Sequence, residues 1–277
     1  MKEKNIVNIF DKGKKILKRK SRRFIGTDRL EAVLDRMAVI TDIYIPAYAQ
    51  HQKVFPKYKG INKGKTVVLV GTGPTLKYYS PIEDAIHIGV NNAVFKDNIK
   101  LDYLFVCDFT YSEYFEEVFS VEQDCANFFG INYRGKGALI PEYILERYNV
   151  EMFYADSFNY ELFGNEFERA EKLFYPLDIS VSPLKSYGTT MFCAFQFALW
   201  THPAKIYIVG ADCSMAGHAE GIGYDKQRTD TLGHSYWVEP WKKSKEFADN
   251  FYPDIEIFSI NPVGLKGVFK DIYTENF

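Results

Sequence analysis

The sequence predicts an α/β fold with a mostly parallel sheet and helices on both faces, and three observations carry that expectation. From Lys65 onward, short apolar runs alternate with amphipathic stretches, the pattern of strands joined by crossover helices. The first run, Thr66-Val67-Val68-Leu69-Val70, is continuously apolar after its threonine, as a strand buried on both faces requires. Gly71-Thr72-Gly73-Pro74-Thr75-Leu76 follows at once. Proline suits the first turn of a helix there, and the threonine can accept a bond from an unpaired N–H. Glycines ending a strand against a helix start predict bare backbone N–H groups facing one spot, which favours phosphate.

Taken in order, residues 1–62 read as a basic helical arm and connector, and residues 63–277 as the α/β domain. Residues 1–23 hold ten Lys and Arg against Glu3 and Asp11, with Ile6, Val7, Ile9, Phe10, Ile16 and Leu17 among them. That is the composition of an amphipathic helix lying on an anionic membrane, or of an arm packed on a partner. Residues 28–37 read as a short helix capped by Thr27 or Asp28, and the Tyr- and Lys-rich stretch to Lys65 as a connector. Strands are expected at 66–71, 86–90, 103–107, 127–131, 151–154, 205–210 and 255–259. The longest helices are expected at 110–119, 141–148, 189–201 and 239–252. Residues 215–238, glycine-rich and without a clear period, read as a mobile lid.

Composition narrows the function classes. With 277 residues, 47% of them hydrophobic, the chain can bury a full core. A net charge of −2 argues against a general nucleic-acid binder. Cys107, Cys125, Cys193 and Cys213 form no Cys-x-x-Cys pair and read as free thiols in a reducing cytoplasm. No apolar stretch reaches membrane-spanning length, and the basic N-terminus lacks the apolar region of a signal peptide.

Ligands of such folds collect where strands end, so the residues after each strand are the candidates. These are Gly71, Thr72, Gly73, Pro74 and Thr75 after the first, Asn91 and Asn92 after the second, Asp108 after the third, and Asp212 and Ser214 near 210. The two asparagines would serve equally as helix caps. A carboxylate at a strand end, as at Asp108 and Asp212, must be solvated, paired or used. In the lid, His234 lies between Gly233 and Ser235, a setting unlike core filler, and imidazole is suited to taking a proton near neutral pH. His218, Asp225 and His234 lack metal-ligand spacing, so no metal is expected. A departing phosphate would then rely on Tyr224, Ser235, Lys185 and Thr189 as donors.

With those residues in view, the chain resembles the bacterial sialyltransferases of glycosyltransferase family 42 between about Val67 and Leu265. The shared stretches are Val70-Gly71-Thr72-Gly73-Pro74-Thr75-Leu76-Lys77, Val90-Asn91-Asn92, Met191 to Leu199, Ile206-Tyr207-Ile208-Val209-Gly210-Ala211-Asp212 and Gly233-His234-Ser235. The resemblance implies a Rossmann-like, GT-A-like domain carrying a lid. It implies a cytidine-monophosphate-linked (CMP) acid sugar as donor, a glycan acceptor, inversion at the anomeric centre and no cofactor or metal. Carried over residue by residue, Gly71 to Thr75 and Asn91 would bind the nucleotide, His234 would be the general base, and Tyr224 would hold the departing phosphate. Lys185, Ser186, Gly188 and Thr189 would complete the donor site. Ser214 stands where the family has a second lid tyrosine, and Lys185 is the nearest counterpart of an arginine.

The place implied is the cytoplasmic face of a membrane, in lipopolysaccharide or capsule assembly; nucleic acid is not an expected partner, and a homo-oligomer is left open. A second resemblance, to motility-accessory-factor-like proteins and a pterin pyrophosphokinase, shares the Gly-x-Gly-Pro-Thr-Leu turn and an acid at Asp108. It implies ATP and magnesium held by Asp108 and Asp212. A non-catalytic glycan- or nucleotide-binding protein is the third reading.

Overall fold

The computed structural model describes residue 37 and residues 40–107, 112–121, 124–132, 140–156, 175–214, 217–220 and 235–274. Its framework is a nine-stranded, wholly parallel sheet: β1 (Thr66–Val70), β2 (Ile86–Val90), β3 (Tyr103–Val106), β4 (Ala126–Asn132), β5 (Val150–Asp156), β6 (Leu184–Lys185), β7 (Lys205–Val209), β8 (Glu256–Ile260) and β9 (Lys270–Ile272). The spatial order is β6-β5-β4-β3-β2-β1-β7-β8-β9. The chain therefore works outward from β1 to one edge, then returns to the other side of β1. That reversal between β1 and β7 makes the sheet Rossmann-like and opens a crevice beyond their carboxyl ends.

The continuous apolar runs are explained by two cores. In β1, Val67 and Leu69 join one cluster while Val68 and Val70 join the other, so both faces of the strand are dry. On the first face lie α1 (Ile45–Val54), α4 (Thr190–Trp200) and α5 (Ser235–Phe251); on the second lie α2 (Ser112–Val121) and α3 (Glu142–Arg147). Every residue of α4 is buried, as befits a helix apolar all round. Its Phe197 meets Tyr58, Tyr103, Phe105 and Phe128 at ring separations of 5.0–5.3 Å.

The seven expected strands are present, and β6 and β9 are additions. The stretch expected to be a connector is instead helical. A π-turn over Ile40–Tyr44 runs into α1, which packs on β5 through Ala47, His51 and Val54. Proline at the second helical position is compatible with this start. The helix expected from 239 begins at Ser235, with Pro240 inside it; a proline near the start removes one ladder bond without ending the helix. The helix expected at 28–37, and the arm before it, lie outside the described residues.

His51 ties this layer together. Its Nδ1 lies 2.8 Å from the Ile179 carbonyl and 2.9 Å from that of Ser182, and its Nε2 accepts from the Tyr154 N–H at 2.8 Å. Those partners fix the neutral imidazole with its proton on Nδ1. Burial lowers the pKa from 6.5 to about 4, against the pull of the two carbonyls. A depressed folded pKa means that the contribution to stability is fully present above about 6.5 and is lost as pH falls through about 4. It amounts to roughly 3 kcal/mol. His51→Gln should therefore be destabilised at pH 7.5, with its deficit relative to the unaltered protein shrinking by roughly 2 kcal/mol at pH 5 in urea denaturation. A deficit constant with pH would contradict this assignment.

Candidate functional site

The crevice between β1 and β7 is closed by the chain itself. Gly71 N–H donates to Val209 O at 2.8 Å and Gly73 N–H to Gly210 O at 2.7 Å. The two turns touch so closely that a Cβ on Gly73 would lie 2.7 Å from both Gly210 O and the Asp212 carboxylate. Asp212 accepts from the Thr75 N–H at 2.8 Å and from the Thr75 hydroxyl, while its carbonyl takes the Gly264 N–H at 2.9 Å. Burial raises the Asp212 pKa, and the two Thr75 bonds oppose that shift.

The expectation of bare N–H groups after β1 is thus corrected for Gly71, Gly73 and Thr75, whose donors are already occupied. The reason is local. Pro74–Tyr78 is a five-residue 3-10 turn capped by no side chain, and Thr75, expected to accept a capping bond, donates to Asp212 instead. Asp212, offered as a metal ligand under the pyrophosphokinase reading, is a brace for this turn. Thr75→Val should cost about 1–3 kcal/mol of unfolding free energy by leaving a buried carboxylate one donor short; a loss under 0.5 kcal/mol in chemical denaturation would count against the brace. Thr72 is held by the segment after β7, with its hydroxyl 2.9 Å from His218 Nδ1 and its carbonyl accepting the Ala219 N–H at 2.8 Å.

A second corner assembles beside it, at the carboxyl ends of β2 and β3. Because Val70 pairs with Gly89, Thr72 and Asn91 leave the sheet on adjacent strands. Asn91 adopts φ 46°, a left-handed conformation that asparagine tolerates. It is not a cap. Its Oδ1 accepts from the Cys107 N–H at 3.1 Å and from the Thr190 hydroxyl at 3.4 Å, so one side chain joins β2, β3 and the start of α4. Asn92 is buried.

The turn before α4 is shaped by two successive left-handed residues, Tyr187 at φ 43° and Gly188 at φ 80°. Ser186 O accepts the Thr189 N–H at 2.8 Å, and Thr189 caps the helix by accepting from the Met191 N–H. The 11-residue helix brings a positive dipole end to Asn91. Trp237, in the first turn of α5, lies over Gly188, its ring 3.5 Å from where a Cβ would stand. The structure therefore groups Thr72, Gly73 and Asn91 with the turn from Ser186 to Thr190. Ser214 is half-buried near the end of β7.

Lys185, expected to donate to a phosphate, is committed elsewhere. It is buried against Asp156 and donates to Tyr44 Oη at 2.7 Å, while Tyr44 donates to Asp156 at 2.9 Å. Burial pulls its pKa down, but the Asp156 carboxylate and the Tyr44 hydroxyl outweigh this and leave it raised. Asp108, Tyr224 and His234 lie outside the described residues, as does the Ser235 side chain. Thr190 and His218 were not singled out for this corner by the sequence, and the structure brings the first to Asn91 and the second to Thr72. Among the described residues, no group of three His, Cys, Asp or Glu is assembled around a metal position, and no helix is long and apolar enough to cross a membrane.

Strand order and crevice define the class: a Rossmann-like α/β domain with polar turns gathered at the carboxyl ends of its central strands. No protein-family model matches the chain, and no curated protein matches it. Among solved structures it is similar to the sialyltransferase CstII from Campylobacter jejuni in complex with a substrate analogue, CMP-3FNeuAc, at 17% identity and a TM-score of 0.39. It is also similar to the sialyltransferase CST-II in complex with trisaccharide acceptor and CMP, at 15% identity and a TM-score of 0.40. Each match covers 70% of this chain and 80% of the other. At these scores the Rossmann-like assignment rests on the strand order.

Proposed function

We propose that the chain is a metal-independent, inverting glycosyltransferase that moves an acid sugar from a CMP-linked donor to a glycan acceptor. The observation that carries this reading is the junction at Asn91. Three polar segments from separate parts of the chain meet there, and they meet at a helix N-terminus suited to phosphate. The carboxamide oxygen of Asn91 serves the protein, which leaves its amide N–H groups to offer a nucleotide. Thr72 and Asn91 would hold the cytidine and ribose, with Gly73, whose N–H is spent on Gly210, shaping the turn beside them, and Ser186 to Thr190 would hold the phosphate. In the reaction, His234 would take the proton of the acceptor hydroxyl as its oxygen bonds the anomeric carbon. The bond to the CMP phosphate breaks with its electron pair going to phosphate, whose charge Tyr224, Ser214 and Ser235 would meet.

Thermal-shift titration with CMP and CDP, with and without chelator, against ATP and pterin with magnesium, tests the reading. Stabilisation by cytidine nucleotides that survives chelation is expected, and Asn91→Ala should weaken CMP binding about tenfold. Stabilisation only by ATP with magnesium would overturn the proposal.

A further inference from the structure

The end of β3 and the first turn of α4 bring two thiols together. Along β3, Tyr103 and Phe105 face α4, and both meet Phe197 of that helix, at ring separations of 5.1 and 5.0 Å. Strand alternation carries the same face on to Cys107, two residues past Phe105, and helix periodicity places Cys193 one turn before Phe197. The direction of the helix is set by Thr190, whose hydroxyl shares Asn91 Oδ1 as acceptor with the Cys107 N–H, at 3.4 and 3.1 Å. Cys193 therefore stands over Cys107. Gly130 of β4 makes room for the lower sulfur, since a Cβ there would collide with Cys107 Sγ, and the two thiol side chains are hydrogen-bonded to each other.

The pair is asymmetric. Cys193 is fully buried, whereas Cys107 is half-buried, and both are free thiols. Burial pushes the Cys193 thiol well up, and the hydrogen bond to Cys107 adds to this, so Cys193 is held protonated. The more open Cys107 is then the sulfur that a small oxidant reaches first, with Cys193 already in contact to resolve the product.

We propose that Cys107 and Cys193 form a peroxide-sensitive switch whose reversible disulfide ties β3 to α4 and distorts the donor corner between them. The step balances with a hydroperoxide as oxidant. The Cys107 thiolate attacks one peroxide oxygen, the O–O bond breaks, and the departing hydroxide takes up a proton to leave as water, with Cys107 now a sulfenic acid. The Cys193 sulfur then attacks the sulfenic sulfur, giving up its proton as the S–O bond breaks and a second water leaves. Two thiols have lost two electrons and the peroxide has gained them. A disulfide is about 2 Å long, far shorter than a thiol hydrogen bond, so closing it draws Cys107 and the first turn of α4 together. That movement disturbs the bridge from Asn91 Oδ1 to Cys107 and Thr190. The effect on CMP rests on the function proposed above, while the disulfide itself does not.

The test treats full-length protein, reduced and then freed of reductant, with hydrogen peroxide, followed by digestion without reduction and peptide mass spectrometry. A Cys107–Cys193 crosslink that dithiothreitol removes is expected, with CMP affinity weakened about tenfold in the oxidised protein and restored on reduction, the equivalent of one hydrogen bond lost at Asn91. Cys107→Ser should form no crosslink, and its CMP affinity should not respond to peroxide. Oxidation that stops at a Cys107 sulfinic acid with Cys193 left free would overturn the proposal, as would a crosslink that leaves CMP affinity unchanged. A reduced protein that binds no cytidine nucleotide would count against the proposed function instead. The crosslink, with a melting temperature that changes on oxidation and returns on reduction, would then decide the switch.

Discussion

Asp156→Ala is expected to destabilise the protein by about 3–5 kcal/mol, because it strands a buried ammonium. Lys185 and Asp156 end neighbouring strands β6 and β5, paired in register, and their side chains are 8% and 2% exposed. Without the carboxylate, the Lys185 ammonium keeps Tyr44 as a partner but loses its counter-charge in a dry setting. The lysine backbone is held independently, since Gln196 accepts from its N–H at 2.9 Å and donates to its carbonyl at 2.7 Å. The cost should therefore come from the charge rather than from a lost turn. Urea denaturation reads the effect directly, and replacing both members by Asp156→Leu with Lys185→Met should recover most of the loss. A single-variant loss below 1 kcal/mol would mean that water reaches the pair. Lys185 also precedes the Ser186–Thr190 turn, so Asp156→Ala should reduce the stabilisation by CMP as well.

His234→Ala is expected to lower turnover by about two to four orders of magnitude while leaving CMP affinity unchanged. The residue immediately precedes Ser235, the first residue of α5, and Trp237 in that helix lies over Gly188 in the turn before α4. As the general base of the proposed reaction it would act on the acceptor hydroxyl rather than on the nucleotide, so the loss should fall on kcat with donor KM retained. Steady-state kinetics with a CMP-linked acid sugar and a glycan acceptor separate the two parameters. Full turnover in the variant would remove His234 from the mechanism and favour a binding protein or a different base.

Seven strands were legible because they are rich in apolar residues, continuously so in Val67–Val70 and Leu104–Val106 and with single interruptions such as His87 and Gly89 in β2, and burial on both faces of a parallel sheet demands such runs. The turn after β1 was legible because two glycines break the apolar run; their packing reason is tertiary, since a Cβ on Gly73 would lie 2.7 Å from Gly210 O. Strands β6 and β9, of two and three residues, have no period to detect and exist because an adjacent strand offers its edge. Helix α1 was hidden because its inner face is built around His51, a polar residue whose three backbone partners lie more than 100 positions away.

The same division runs through the candidate site. Residue type marked Asn91, Thr72, Gly73 and the Ser186–Thr189 turn, since small and amide residues at strand ends and helix starts announce themselves locally. Residue type could not say which donors are spent. Lys185 and Asp212 look alike in sequence to groups awaiting a ligand, and only the fold brings Asp156 and Tyr44 to the one and Thr75 to the other. The sequence by itself determined the strands, the polar turns and the basic end of the chain, because those follow from local apolarity, backbone freedom and charge. Tertiary structure alone decided which polar atoms remain for a ligand, because hydrogen-bond partners are chosen by proximity in space, as between Thr72 and His218, 146 residues apart.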